Sequence, residues 1–110
     1  MAYNNRVIVD ARRVIAFGAI GAAYAAIGVA LASPARVFIL NNLTDADMDI
    51  SLDGVTDHFI LPQRSFKLID VSANKIRDDG FFIAEGTFFY VKQTVGAPTL
   101  GSVYVEIIRA

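Results

Sequence analysis

Apolar and polar residues alternate most regularly over residues 47–53. Met48, Ile50 and Leu52 are apolar and stand at even-numbered positions, while the odd-numbered positions around them are polar: Asp47, Asp49, Ser51 and Asp53. This period of two predicts a half-buried β-strand. Asp53-Gly54 predicts a tight turn after it, since glycine accepts positive φ without steric cost. The segment HFILP then predicts a returning strand that stops at Pro62.

Similar segments lie on both sides of this hairpin. The run RVFILNN (36–42) is apolar at both parities, which favours a central strand. Three later segments also predict strands: SFKLIDV (65–71), FFIAEGTFFYVKQTV (81–95), broken at Glu85-Gly86, and SVYVEIIRA (102–110). SANKIRDDG and GAPTLG predict the loops between them. Turn signals at intervals of about 8–12 residues are typical of an all-β sandwich or small barrel.

An uncharged run of 22 residues, 14–35, allows several interpretations. It is long enough to cross a bilayer. However, nine of its residues are Ala, three are Gly and only seven are Val, Ile, Leu or Phe, so membrane insertion would be marginal. Ala30-Leu31-Ala32 before Ser33 resembles a signal-peptidase site. The strand-like RVIVD upstream, with its Asp10, is atypical of a signal peptide.

The same run is also compatible with a helix or with β-structure. Phe17, Ile20, Tyr24, Ile27 and Leu31 form a heptad-like stripe, and alanine favours helix. The glycines oppose a helix. In the β interpretation they mark bends, and Ile27, Val29 and Leu31 share one face. The sequence leaves both open for residues 17–32, and the strands that follow favour the β interpretation.

Composition indicates that part of the surface is covered. The chain of 110 residues has 55% hydrophobic and 19% charged residues, whereas globular chains average about 45–50% apolar and about 25% charged. A small domain has much surface for its volume, so lipid or neighbouring subunits must cover apolar side chains. The length fits one domain, and we expect an arm over residues 1–16 followed by a single β-sandwich domain over residues 17–110.

The sequence contains no convincing catalytic, cofactor or metal site. The chain contains no cysteine. This excludes disulfides, thiolate catalysis and Cys-type zinc sites. His58 is the only histidine, and no nucleophile elbow surrounds Ser51 or Ser65. The aspartates of residues 45–57 begin with the Asp-x-Asp-x-Asp spacing of a calcium-binding loop. An EF-hand loop then needs Gly at its sixth position and Glu at its twelfth, where this chain has Ile50 and Thr56. We therefore expect no enzyme, no cofactor and no metal.

Charge is distributed unevenly along the chain. Residues 1–36 hold four arginines and one aspartate, whereas residues 45–57 hold five aspartates and no basic residue. Opposite charges on one small chain favour pairing between copies; the alternative is that both regions are solvated. The predicted subunit-interface residues are Arg12, Arg13, Arg36, Asp47, Asp49 and Asp53. A net charge of −1 does not favour nucleic acid as a partner.

Several segments together resemble a group of small virion structural proteins of tailed bacteriophages: ARVFILNNLTDADMDISLDG, TDHFILP, DVSANK, GFFIAEGTFFYVK and the terminal GSVYVEII. The resemblance covers residues 17–110. It implies an all-β unit, made in the host cytoplasm, that binds copies of itself and other virion proteins rather than a small-molecule substrate.

From the resemblance we expect a non-enzymatic subunit at the head–tail connector or tail. One alternative is a capsid cement protein between capsomers. An alternative of another class is a small membrane-anchored β-domain protein.

Overall fold

The computed structural model describes residues 8–71 and 83–109, and these form short antiparallel strands. The strands are β1 (Ile8–Val9), β2 (Arg13–Ala16), β3 (Ala25–Ala26), β4 (Ala35–Asn42), β5 (Met48–Ser51), β6 (Phe59–Leu61), β7 (Ser65–Asp70), β8 (Tyr90–Gln93) and β9 (Ser102–Arg109). A 3₁₀ turn over Phe17–Ala19 is the only helical element in the described part of the chain.

The strands form two antiparallel sheets. In the first sheet, β9 pairs on one side with both β1 and β2 and on the other side with β4, and β7 pairs with β4 beyond it. In the second sheet the order is β3, β8, β5, β6. The all-β sandwich predicted from the sequence is confirmed.

The core lies between the two sheets. Phe38 and Leu40 of β4 are fully or almost fully buried, as is Ile50 of the second sheet. The Phe38 ring lies 5.1 Å from the Phe89 ring, centroid to centroid, in a tilted contact. Alternate residues of β9 are also buried, namely Val103, Val105 and Ile107. In β4 and in β9, residues at alternate positions therefore point inward, as period two requires.

Most predicted strands form where the pattern placed them. The segments RVFILNN, DMDIS, FIL, SFKLID and SVYVEIIR contain β4, β5, β6, β7 and β9. Of the two strands predicted in 81–95, the second is β8, and the described part of the first forms a bridge between Ile83 and Ala35. Gly86 has φ +86° in the turn that separates them. The predicted loop SANKIRDDG lies outside the described residues.

Residues 14–35 form neither a long helix nor continuous strands. They comprise β2, the 3₁₀ turn, the two-residue β3 and bends. Ile20, Ile27 and Leu31 from the predicted stripe are nonetheless buried, because the bends turn them toward the core. Within residues 8–71 and 83–109, no helix has the length and apolar character needed to span a membrane.

The N-terminal segment differs from the predicted arm over residues 1–16. Its described part, residues 8–16, contributes β1 and β2, which pair with β9 of the same chain. Asp10 N–H also donates to Ile107 O over 3.0 Å. Residues 8–16 thus belong to the sandwich, and the boundary expected at residue 16 falls inside it. The pairing partner is at the other end of the chain, so no local pattern announces it. Residues 1–7 lie outside the described residues.

Candidate interaction surface

The outer side of the first sheet is built mainly from apolar side chains. Because Phe38, Leu40, Val105 and Ile107 point inward, the residues between them point outward. The strand register aligns these outward residues in rows across the sheet. We call this surface the apolar face, and its apolar members are Val9, Val14, Val37, Ile39, Phe66, Leu68, Tyr104 and Ile108.

Several of these side chains are strongly exposed. Val9 is 71% exposed, Phe66 70% and Leu68 55%. The polar residues of the face are few: Arg12, Asn41, Asp70, Ser102 and Glu106. An antiparallel sheet in a monomer usually presents a polar outer side to water, and contiguous exposed apolar patches mark interaction sites. The apolar face therefore has the chemistry of a contact surface.

The outer side of the second sheet is different. Asp49 of β5 lies opposite Lys92 of β8. The Lys92 Nζ atom is 3.3 Å from an Asp57 carboxylate oxygen and 4.7 Å from the centroid of the Tyr24 ring. This outer side is polar and forms its own contacts, so the two sides of the sandwich are chemically distinct.

Tyr24 and Asp57 form a hydrogen-bonded pair on that polar side. The Tyr24 hydroxyl donates to Asp57 Oδ1. Partial burial, followed by the hydrogen bond to Asp57 and its charge, raises the pKa of Tyr24. The pKa of Asp57 is lowered, first by the hydrogen bond from Tyr24 and second by the contact with Lys92. The group attaches the segment after β5 to the edge of the second sheet.

Arg12 and Arg13, predicted together as interface residues, point to opposite sides of the first sheet. The Arg12 guanidinium lies over the outward ring of Tyr104, 5.2 Å from its centroid. Arg13 is only 9% exposed. Its Nε donates to Val29 O over 2.9 Å, and a terminal nitrogen lies 3.7 Å from the Asp10 carboxylate.

The interface role predicted for Arg13 is therefore corrected, because its guanidinium binds groups of its own chain. Gly28, with φ +70°, gives that side chain room, since a Cβ there would come within 2.8 Å of Arg13 Cγ. Arg36 is half-buried at an irregularity in β4 between Ala35 and Val37. Its interface role stays a prediction.

The predicted acidic residues lie away from Arg12. Asp49 is on the polar outer side of the second sheet, opposite Lys92. Asp47 Oδ1 accepts from Gln63 N–H over 2.9 Å. Asp53 Oδ1 accepts from the N–H groups of Val55 and Thr56, each over 2.8 Å. Within one chain the two predicted sets are thus on different sides, and contacts between copies through Asp47, Asp49 or Asp53 stay predictions.

His58, the one histidine of the sequence, contacts the turn that follows β5. The Nδ1 atom of His58, assigned as an acceptor, receives the Leu52 N–H over 3.0 Å, which ties the ring to the hairpin turn. In the part of the chain that the structure describes, no three His, Cys, Asp or Glu side chains are grouped as a metal site would require. Ser51, expected on the wet side of β5, is buried, and its hydroxyl accepts from Gly54 N–H over 2.9 Å.

Comparisons of this chain with protein-family models, with curated proteins and with solved structures gave no match. The class of the protein follows from its own geometry: an all-β sandwich with one apolar and one polar outer side.

Sequence reasoning missed the apolar face as a defined surface. Its signal was present in RVFILNN and SVYVEII, which are apolar at both parities. Such segments indicate strands covered on two sides. Only the sheet order shows that the second side of these strands has no cover in the described structure.

Proposed function

We propose that this protein is a non-enzymatic structural subunit of a tailed-phage virion that assembles in multiple copies at the head–tail connector or tail. One structural observation supports an assembly role: the apolar face of the first sheet, exposed at Val9, Phe66 and Leu68. The resemblance of residues 17–110 to small virion proteins supports a place in the virion, and the head–tail connector or tail is our first placement within it.

In this proposal the protein acts by adhesion. Apolar area removed from water contributes roughly 25 cal/mol per Å². In a symmetric assembly, every copy makes the same contacts, so a modest contact is multiplied by symmetry. The apolar face supplies the area, and the polar second sheet remains toward water. Each subunit thereby stabilises its neighbours without performing chemistry.

The location is tested on particles produced from the genome that encodes this chain. Quantitative mass spectrometry of purified particles should find multiple copies per particle. Antibody labelling viewed by electron microscopy should mark the head–tail junction or the tail. Label distributed over the capsid would replace this placement with the cement role between capsomers. Absence of the chain from purified particles would reject a virion protein altogether.

The membrane-anchored alternative is tested with the purified chain. We expect the chain to remain dispersed in buffer without detergent and to sediment as a defined complex. Dispersal only in detergent or lipid would favour the membrane-anchored β-domain instead.

A further inference from the structure

We infer that the apolar face binds the apolar face of a second copy of this chain, so that two subunits pair about a two-fold axis lying in the contact plane. The inference rests on the proposed assembly function and specifies which surface of each subunit makes the contact. It concerns which surfaces meet, whereas the location in a particle is a separate matter.

The apolar side chains run continuously across the sheet. Register pairs Val14 with Tyr104, and Leu68 with Ile39. Val37 pairs with Ile108, which in turn pairs with Val9. A surface with apolar residues on every strand is matched best by another such surface, because sheets pack through their side-chain layers. The same residues on a second copy provide that match.

The charges of the face are complementary to themselves. Arg12, over Tyr104, and Glu106, two residues further along β9, are both exposed and have opposite signs. A two-fold axis passing close to them would place two arginines among two carboxylates. A polyanion or a strongly basic partner would instead leave one of the two residues against a like charge, which is unfavourable. Asp70 lies at the far edge, on β7, away from Arg12 on the strand order.

The polar side of the sandwich is a poorer partner for the apolar face. Asp49 and Lys92 occupy the middle of its outer side, and Lys92 is already held by Asp57 and Tyr24. Docking this side against Ile39 and Leu68 would remove water from those charges without new partners, which is costly. Contact between like faces avoids this cost.

The test reverses the charges one at a time and then mixes the variants. Arg12→Glu makes both charged positions of the Arg12–Glu106 pair negative, and Glu106→Arg makes both positive. Each variant alone should associate at least about tenfold more weakly than the wild type, because like charges then face each other. An equimolar mixture should recover association as mixed pairs, since a doubly negative face then meets a doubly positive one. Sedimentation velocity measures the association, and native mass spectrometry identifies the mixed pair by mass.

Thermal unfolding of each variant tests whether both remain folded; if either does not, Arg12→Gln with Glu106→Gln replaces the pair and should associate more weakly than the wild type. Recovery in the mixture supports pairing of like faces. A mixture that associates no better than the single variants overturns it. If the wild-type chain is monomeric in solution yet present in purified particles, this pairing is wrong while the proposed virion role stands. If the chain is absent from particles but forms the mixed pair, the reverse holds.

Discussion

Arg12 and Arg13 are neighbours in sequence, yet their side chains serve different parts of the molecule. In a strand, successive side chains point to opposite sides. Arg12 therefore lies over Tyr104 on the apolar face, and Arg13 reaches across to Val29 O between the sheets. Two residues of the same type therefore have different roles because they point to opposite sides of the sheet.

The first prediction compares these two arginines. Arg13→Ala should lower the free energy of unfolding by about 2–3 kcal/mol, because it leaves the Val29 carbonyl and Asp10 without their cation and removes the packed methylenes of a side chain that is only 9% exposed. Arg12→Ala is the control and should change the free energy of unfolding by no more than about 0.5 kcal/mol, as an exposed residue. Urea denaturation measures both. Equal effects of the two substitutions would contradict the assignment.

Asn42 shows the same dependence on position. It is fully buried at the end of β4. Its Nδ2 donates to Ala46 O over 2.9 Å and to Leu61 O over 3.0 Å, while Oδ1 accepts from Thr44 N–H over 3.0 Å. The amide therefore satisfies backbone groups of the β4–β5 connection and of β6, which the local sequence pattern does not reveal.

At the scale of elements, the connections determine where strands end. The β5–β6 connection is held by Asp53, whose Oδ1 accepts from Val55 and Thr56 N–H and from the Ser51 hydroxyl. These hydrogen bonds lower the pKa of Asp53 well below its usual range, and those from the Thr56 and Val55 N–H groups have the largest effect. Gly54, with φ +79°, completes the turn.

The second prediction follows from that lowered pKa. A depressed pKa in the folded state means that the carboxylate contributes stability above its unfolded pKa of about 4 and loses that contribution as the pH falls further. Asp53→Asn should therefore be less stable than the wild type at pH 6, and the difference should shrink progressively below pH 4. Urea unfolding between pH 2.5 and pH 6 measures it. A difference independent of pH would show that the charge of Asp53 is not what holds the turn.

The start of β9 is a second point where an element depends on one residue. Gly101 has φ +85°, and a Cβ there would collide with the backbone carbonyl of Leu43. The close approach places Gly101 between the β4–β5 connection and Phe17, whose N–H donates to Gly101 O over 3.0 Å.

The third prediction substitutes this glycine. Gly101→Ala should destabilise the fold by at least about 3 kcal/mol, through positive φ and a backbone clash that no side-chain rotation relieves. Gly96→Ala is the matched control in the preceding turn, since a Cβ there meets nothing within 4 Å. Its effect should stay within about 0.5 kcal/mol. Calorimetric unfolding of both variants provides the comparison, and a mild effect at Gly101 would mean that the connection can move aside.

At the scale of the whole molecule, the contrast between the two outer sides is the main feature. Both sheets direct apolar residues inward, but only the first sheet presents them outward on every strand; the second sheet presents Ile60 in the same row as Asp49 and Lys92. Leu68 on β7 and Ile60 on β6 are 55% and 52% exposed. Both are exposed aliphatic residues on edge strands of the described structure, but the strands belong to different sheets. Substitutions at these two positions therefore test the two outer sides of the sandwich separately.

The fourth prediction uses this pair. Leu68→Glu should weaken association of the chain at least about tenfold, because a charge buried in the contact costs more than the 1.4 kcal/mol that a factor of ten represents. Ile60→Glu should leave association unchanged, since it lies on the polar side. Sedimentation velocity over a concentration series gives both constants. Equal weakening by the two variants would mean that the apolar face is not the contact.

The sequence alone determined the class of fold and the positions of most strands, since period two and turn chemistry are local properties. Alternation over 47–53 and the turn at Asp53-Gly54 are fully readable from neighbouring residues. It also determined that the chain is richer in apolar residues and poorer in charged ones than an average globular chain.

Only the tertiary structure decided which surface carries that excess. When both parities of a strand are apolar, as in RVFILNN, the pattern does not say which side meets the core. Sheet order decides it, and sheet order depends on pairings such as Arg13 with Val105 between the two ends of the chain. The same pairing placed residues 8–16 in the sandwich and separated Arg12 from Arg13. Such long-range contacts leave no local pattern, because their free energy comes from surfaces that meet only after folding.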